Sequence, residues 1–131
     1  MATAPAFAAT PVCWSGLVPA TADTSLTAPS NVTTLGTAGA NGTKIDSIVV
    51  EGVGTTVAGV VNIFLYDNST YHLYDQFLIS AVTSSTTARA YRSERAYTNL
   101  LLPSNSWSLR CTVTVAGDQS LLKVTATGGS F

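Results

Sequence analysis

The chain has 131 residues, a formal net charge of −1, 46% hydrophobic residues and only 10% charged ones. That length suits one domain with one real core, and the charge balance excludes a whole-chain electrostatic attraction to nucleic acid. Charged residues fall well under the roughly 25% usual in soluble proteins, so the surface must be covered by Thr, Ser, Asn and Gly, or by other subunits.

Residues 1–43 form a distinct region in which Asp23 is the only charged side chain. The rest is Ala, Thr, Pro, Gly and Ser with scattered large apolar residues, which bury too little to fold alone. The reading is an extended N-terminal arm over residues 1–12, docked on another subunit through Phe7, followed by a single β-sandwich over residues 13–131. Pro5 and Pro11 keep the arm extended and lower the entropy lost on docking; at ~3.3 Å per residue its first ten residues reach about 30 Å. Without a basic leader segment, and with prolines inside the apolar stretch, the N-terminus does not read as a signal peptide. Edge strands are expected near residues 13–18 and 24–27.

Gly36, Gly39 and Gly42 punctuate a loop. Their spacing has no phosphate-loop meaning without a Lys-Ser/Thr pair and a following helix. A strand is expected over residues 44–53. The stretch VAGVVNIFLYDNSTYHLYDQFLI then reads as a β-hairpin, two apolar and aromatic arms around Asp67-Asn68-Ser69-Thr70. Strict alternation puts Val57, Val61, Ile63 and Leu65 on one face of the first arm. In the second arm Tyr71, Leu73, Phe77 and Ile79 share a face, and His72, Tyr74 and Gln76 point the other way. A Ser/Thr-rich crossover follows, then strands over residues 91–102, 106–115 and 121–127. Trp107, Leu109, Cys111, Val113 and Val115 alternate with polar residues, as in a half-buried antiparallel strand. The predicted core is Val61, Ile63, Leu65, Leu73, Phe77, Leu109, Val113 and Val124. About six to eight strands with turn signals between them give an all-β fold, an antiparallel β-sandwich or jelly-roll-like domain.

Residues that carry chemistry are sparse. His72 is the only histidine, and nothing beside it on its expected face is a nucleophile or carboxylate. The acids are scattered, so no catalytic pair suggests itself, and no enzyme activity is expected. Cys13 and Cys111 show no metal-ligand spacing and are expected to be reduced, buried and unpaired; no cofactor or metal is implied. Asp75 is the odd residue, an acid on an apolar face, which needs a partner such as Lys44, Arg89, Arg92 or Arg95, or a bulge that turns it outward. Arg89, Arg92 and Arg95 form the basic cluster. On a strand Arg92 faces away from the other two, so salt bridging at a subunit interface fits better than nucleic acid. Phe7, Trp14, Arg89, Arg92 and Arg95 are the candidate partner-binding residues. Three Asn-X-Ser/Thr triplets, at Asn31, Asn41 and Asn68, are what chance produces in so Ser/Thr-rich a chain.

The pattern GANGTKIDSIVVEG, then VNIFLYDNSTYHLYDQFLI, then NLLLPSNSWSLRCTVTV resembles small virion proteins of tailed double-stranded DNA phages. These are similar to head decoration, or cement, proteins. The resemblance spans about residues 39–129 and rests on composition and strand order. It implies a compact sandwich on the outer capsid surface, assembled in the host cytoplasm. The implied partners are the major capsid protein and the chain itself as a homotrimer or dimer, with neither nucleic acid nor membrane involved. Two other classes stay open: a tail, fibre or baseplate component, and a carbohydrate-binding sandwich module with Trp14, Trp107, Tyr71 and Tyr74 as stacking faces.

Overall fold

The computed structural model describes residues 8–119 and 121–131. Eight strands form in chain order: β1 Thr10–Leu17, β2 Thr33–Thr37, β3 Thr43–Gly52, β4 Gly59–Tyr66, β5 Tyr71–Ile79, β6 Arg92–Leu102, β7 Ser108–Val113 and β8 Leu122–Ser130. They make two four-stranded antiparallel sheets, β1-β8-β3-β6 and β2-β7-β4-β5. Only the β4–β5 hairpin joins neighbours within a sheet. Every other connection crosses between the sheets, the jelly-roll arrangement of a β-sandwich. Ile45, Ile48, Val50, Leu100, Leu122, Val124 and Ala126 from the first sheet meet Val61, Ile63, Phe77, Leu109, Cys111 and Val113 from the second in one core.

The described part of the expected arm lies on its own domain. Ala9 N–H donates to the Ser130 carbonyl at 3.0 Å, and Thr10, Pro11 and Val12 open β1 in register with Ser130, Gly129 and Gly128. Pairing with the domain thus begins at about residue 9, inside the stretch expected as arm. Phe7 and the rest of the arm lie outside the described residues. Residues 24–27, expected as a strand, are a loop instead. Asp23 organises it, its carboxylate accepting from the Ser25, Ser30 and Asn31 N–H groups. Conversely, part of the expected glycine loop is β2. Gly36 stands there because the Trp14 ring lies on it: a Cβ at that position would come within 2.2 Å of the indole.

The hairpin turn forms as its residues dictate. Asp67 Oδ1 accepts from Ser69 and Thr70 N–H at 2.9 and 2.7 Å, and Asn68 takes a left-handed φ of 78°, which Asn tolerates well. The strict alternation expected along β5 fails. Ile63 pairs with Asp75 but Phe64 pairs with Leu73, so Tyr74 is an extra residue in a β-bulge. The bulge inverts the first half of the strand: Phe77 and Ile79 stay in the core, whereas Leu73 is 39% exposed and leaves the predicted core. β7 is likewise not half-buried, since Thr112 on its outward face is as inaccessible as Cys111 on its inward one.

Candidate functional site

The antiparallel registers put the loops at two ends of the sandwich. Residues 38–42, 67–70 and 103–107 close one end with short turns. The long connections, residues 18–32, 53–58, 80–91 and 114–121, gather at the other. Long loops on a rigid scaffold are where binding residues concentrate. The β3–β4 loop is the hub of that end. Gly52 N–H donates to the Tyr91 carbonyl and Val53 N–H to Leu121. Thr56 forms an isolated bridge with Val82, and its hydroxyl donates to the Ser80 carbonyl at 2.7 Å. Val57 N–H donates to Asp118 Oδ1 at 2.8 Å. Asp118 is fully buried, and its other oxygen finds no partner among the described residues. The loop 18–32 is held by Asp23, whose carboxyl is pulled below its ordinary value by the Asn31, Ser25 and Ser30 N–H groups, and whose own N–H donates to the Val113 carbonyl. This loop end is thus pre-organised by backbone bonds.

On this scaffold large apolar side chains face solvent. Leu17, Leu26, Val53 and Val57 lie at the long-loop end, with Leu78 one residue from the β5 terminus there. Val53 is 55% and Leu78 78% exposed. Arg89 and Arg92 line a shallow hollow at the same end together with Ala90.

The predicted partner-binding residues separate. Trp14 is half-buried, packed against the core and on Gly36, so it closes the β1/β2 edge of the sandwich instead of standing free. Arg89 and Arg92 share the hollow, contrary to the expectation that they face apart. Arg92 keeps only long ion pairs, 3.8 Å to Glu51 and 3.9 Å to Glu94. Arg95 goes elsewhere. It pairs with Asp75, lies 4.8 Å over the Phe77 ring, and so ties β6 of one sheet to β5 of the other. Tyr97 donates to the second oxygen of the same carboxylate. Burial pushes the Asp75 carboxyl up, but the bonds from Tyr97, Gln76 and Arg95 together hold it below its ordinary value. Burial and then the Asp75 carboxylate push the Tyr97 hydroxyl well above the usual phenol range. Of the two expected explanations of Asp75 the cationic partner holds; the adjoining bulge does not turn it outward, since Asp75 pairs with inward-facing Ile63 and shares the face of Phe77.

His72 stacks on Trp107 at 5.8 Å and contacts Asp67 Oδ2 at 3.1 Å. Ser69 bonds the other oxygen of that carboxylate. The acid stands between serine and histidine, so the histidine does not activate the serine as a base would; the group is a turn brace. Both cysteines are free. Cys111 is fully buried, and that burial pushes its thiol up to about 12. Cys13 is exposed, which corrects the expectation of two buried thiols.

A second cluster sits on the outward face of the second sheet. Phe64 is fully buried there under Tyr71, edge-to-face at 5.8 Å. Tyr66 and Tyr71 pair across strands with ring centroids 4.3 Å apart, and the Arg110 guanidinium lies 4.2 Å over Tyr66. Sequence reasoning singled out Tyr71 but missed Tyr66 and Arg110. The available signal was alternation: Phe64 and Tyr66 fall on the opposite face of β4 from Val61 and Ile63, and Arg110 opposite Leu109 and Cys111.

Comparison of the chain with protein-family models, curated proteins and solved structures finds no match in any of the three.

Proposed function

We propose that this chain is a structural virion protein, a head decoration or cement protein of a tailed double-stranded DNA phage that docks on the major capsid protein. In this reading it turns over no substrate and needs no cofactor. It sits on the outer capsid surface as a homotrimer or dimer after assembly in the host cytoplasm. The observation that carries the reading is the long-loop end, where backbone bonds hold the loops and which presents exposed Leu17, Leu26, Val53 and Val57 at the same end as the Arg89–Arg92 hollow. Exposed apolar groups held on a rigid surface lose little entropy on docking, and apolar patches rimmed by polar residues mark protein contacts. The jelly-roll arrangement adds an analogy with viral shell domains, one of architecture and not of a site.

Two measurements test it. Mass analysis of purified virions should find the chain in a fixed copy number per particle. Val53→Asp should leave the melting temperature within about 2 °C, because Val53 is exposed, and weaken binding to undecorated capsids at least tenfold. A chain missing from virions, or a Val53→Asp variant that decorates capsids as tightly as the parent, overturns the reading.

A further inference from the structure

The outward face of the second sheet carries an assembled site that shell docking through the loop end does not use. Its centre is Arg110 on β7. The guanidinium is half-buried and held from three directions: Nε donates to Ser108 Oγ at 3.1 Å, Nη1 donates to Tyr71 Oη at 3.0 Å, and the plane lies over the Tyr66 ring. A half-buried arginine ordinarily faces a carboxylate. None of the ion pairs among the described residues includes Arg110. Its Nη2 makes no hydrogen bond to them either, yet it is not a buried, unsatisfied atom, so that edge of the fork opens to solvent.

The surroundings define what would fill it. The register sets Thr34, Arg110, Phe64 and Leu73 in one row across the sheet, Ser108, Tyr66 and Tyr71 in the next, and Thr112, Asn62 and Gln76 in a third on the far side of Phe64. No acid occurs in these rows, so nothing competes for the guanidinium. Tyr71 Oη accepts from Arg110 and keeps its own hydrogen to donate. Exposed Thr34 adds a hydroxyl, and exposed Leu73 adds an apolar contact for C–H groups. Ser108, Asn62 and Thr112 are buried beneath this face; the accessible groups, the Tyr71 and Thr34 hydroxyls around one cation, suit a ring bearing hydroxyls and a carboxylate. A peptide would need a groove or a free strand edge to order its backbone, and β7 and β4 are both internal strands.

We propose that the Tyr66–Tyr71–Arg110 platform binds a carboxylate-bearing sugar residue of a glycan. Arg110 takes the carboxylate through its open Nη2 edge, Tyr71 and Thr34 bond ring hydroxyls, and Leu73, three strands from Thr34, packs on a neighbouring sugar of the glycan. The site is independent of the shell-docking surface, and the two succeed or fail separately.

The test is a glycan array of sialylated, uronate-bearing and pyruvylated glycans with their neutral counterparts, followed by NMR titration of the best binder against the Arg110 Nε–H signal, with a hexaglutamate peptide as the competing anion. The expected result is an acidic glycan that moves this signal, binds at least tenfold tighter than its neutral counterpart, and loses about tenfold or more in affinity in Arg110→Gln, as removal of a charge-assisted bond implies. Tyr71→Phe, which deletes one hydroxyl, should weaken binding several-fold, and it decides the matter if Arg110→Gln does not fold. The proposal is overturned if no acidic glycan binds, if neutral counterparts bind equally, if affinity is unchanged in Arg110→Gln or, where that variant does not fold, in Tyr71→Phe, or if hexaglutamate binds as well as the glycan.

Discussion

Replacing Asp75 removes the tie across the open edge of the sandwich. Its side chain is 17% exposed and joins Arg95, the Tyr97 hydroxyl and the Gln76 N–H. Hydrogen bonds to a charged group are worth about 1.5–3 kcal/mol each before overlap. Arg95 is 47% exposed, so solvent screens its share heavily. Asp75→Ala leaves Tyr97 and Arg95 facing an empty site that water partly enters, and a loss of about 2–3 kcal/mol is expected. For a domain of this size that lowers the melting temperature by about 8–12 °C. In Asp75→Asn the single amide oxygen still accepts from Gln76 and Arg95 while the NH2 donates to the Tyr97 oxygen, so the loss should be only about 1 kcal/mol, the charge-dependent part. Because the folded carboxyl titrates below its ordinary value, folding favours the ionised form. That contribution is complete above the unfolded titration near ~4 and is lost as pH falls through the lower folded value. Melting temperatures of the parent and Asp75→Asn from about pH 8 to pH 2.5 should therefore differ by a constant amount down to about pH 5 and converge below about pH 4. An Asp75→Ala variant that melts within 1–2 °C of the parent, or a gap to Asp75→Asn that does not narrow in acid, would refute the reasoning.

Phe77 is 1% exposed in the core, and Phe77→Ala should cost about 3–5 kcal/mol in chemical denaturation. Gly36→Ala drives a Cβ into the Trp14 indole and should cost about 1–3 kcal/mol with a change in tryptophan fluorescence; unchanged emission would mean that Trp14 does not rest there. In the native protein Cys13 should react with a thiol reagent while Cys111, fully buried with its thiol raised to about 12, stays inert until denaturant is added. Equal labelling of both under native conditions would contradict the placement of Cys111.

Local signals in the sequence locate β3 to β8 closely, because alternating apolar residues and Gly, Asn or Pro turns mark their ends. Two errors near the N-terminus have non-local causes. TLGT reads as a loop because of Gly36, but the glycine is present to receive Trp14 from another strand, a contact no local window contains. TSLT after Asp23 reads as strand-like, yet a single carboxylate collecting three backbone N–H groups holds it as a loop. The bulge at Tyr74 leaves no mark of its own, because period-2 reasoning assumes an unbroken register. The cluster of Arg89, Arg92 and Arg95 is legible as basic and as divided, but strand alternation sets the wrong member apart, since Arg89 lies in a loop beside Arg92 and Arg95 turns towards the opposite sheet.

The division of the charges explains how so lightly charged a chain can still recognise something. Asp23 is committed to a loop, Asp67 to the hairpin turn, Asp118 to the hub of the loop end, and Asp75 with Arg95 to the sheet edge. These acids hold the frame, each engaged with backbone N–H groups or a cation. The bases are committed less completely. Arg92 keeps only long, half-exposed pairs, and Arg110 is positioned by neutral groups alone. A net charge near zero thus conceals a surface where positive groups lack close counter-charges at two separate places, one among exposed apolar side chains and one among hydroxyls and aromatic rings. The first suits the proposed protein contact and the second the proposed glycan contact.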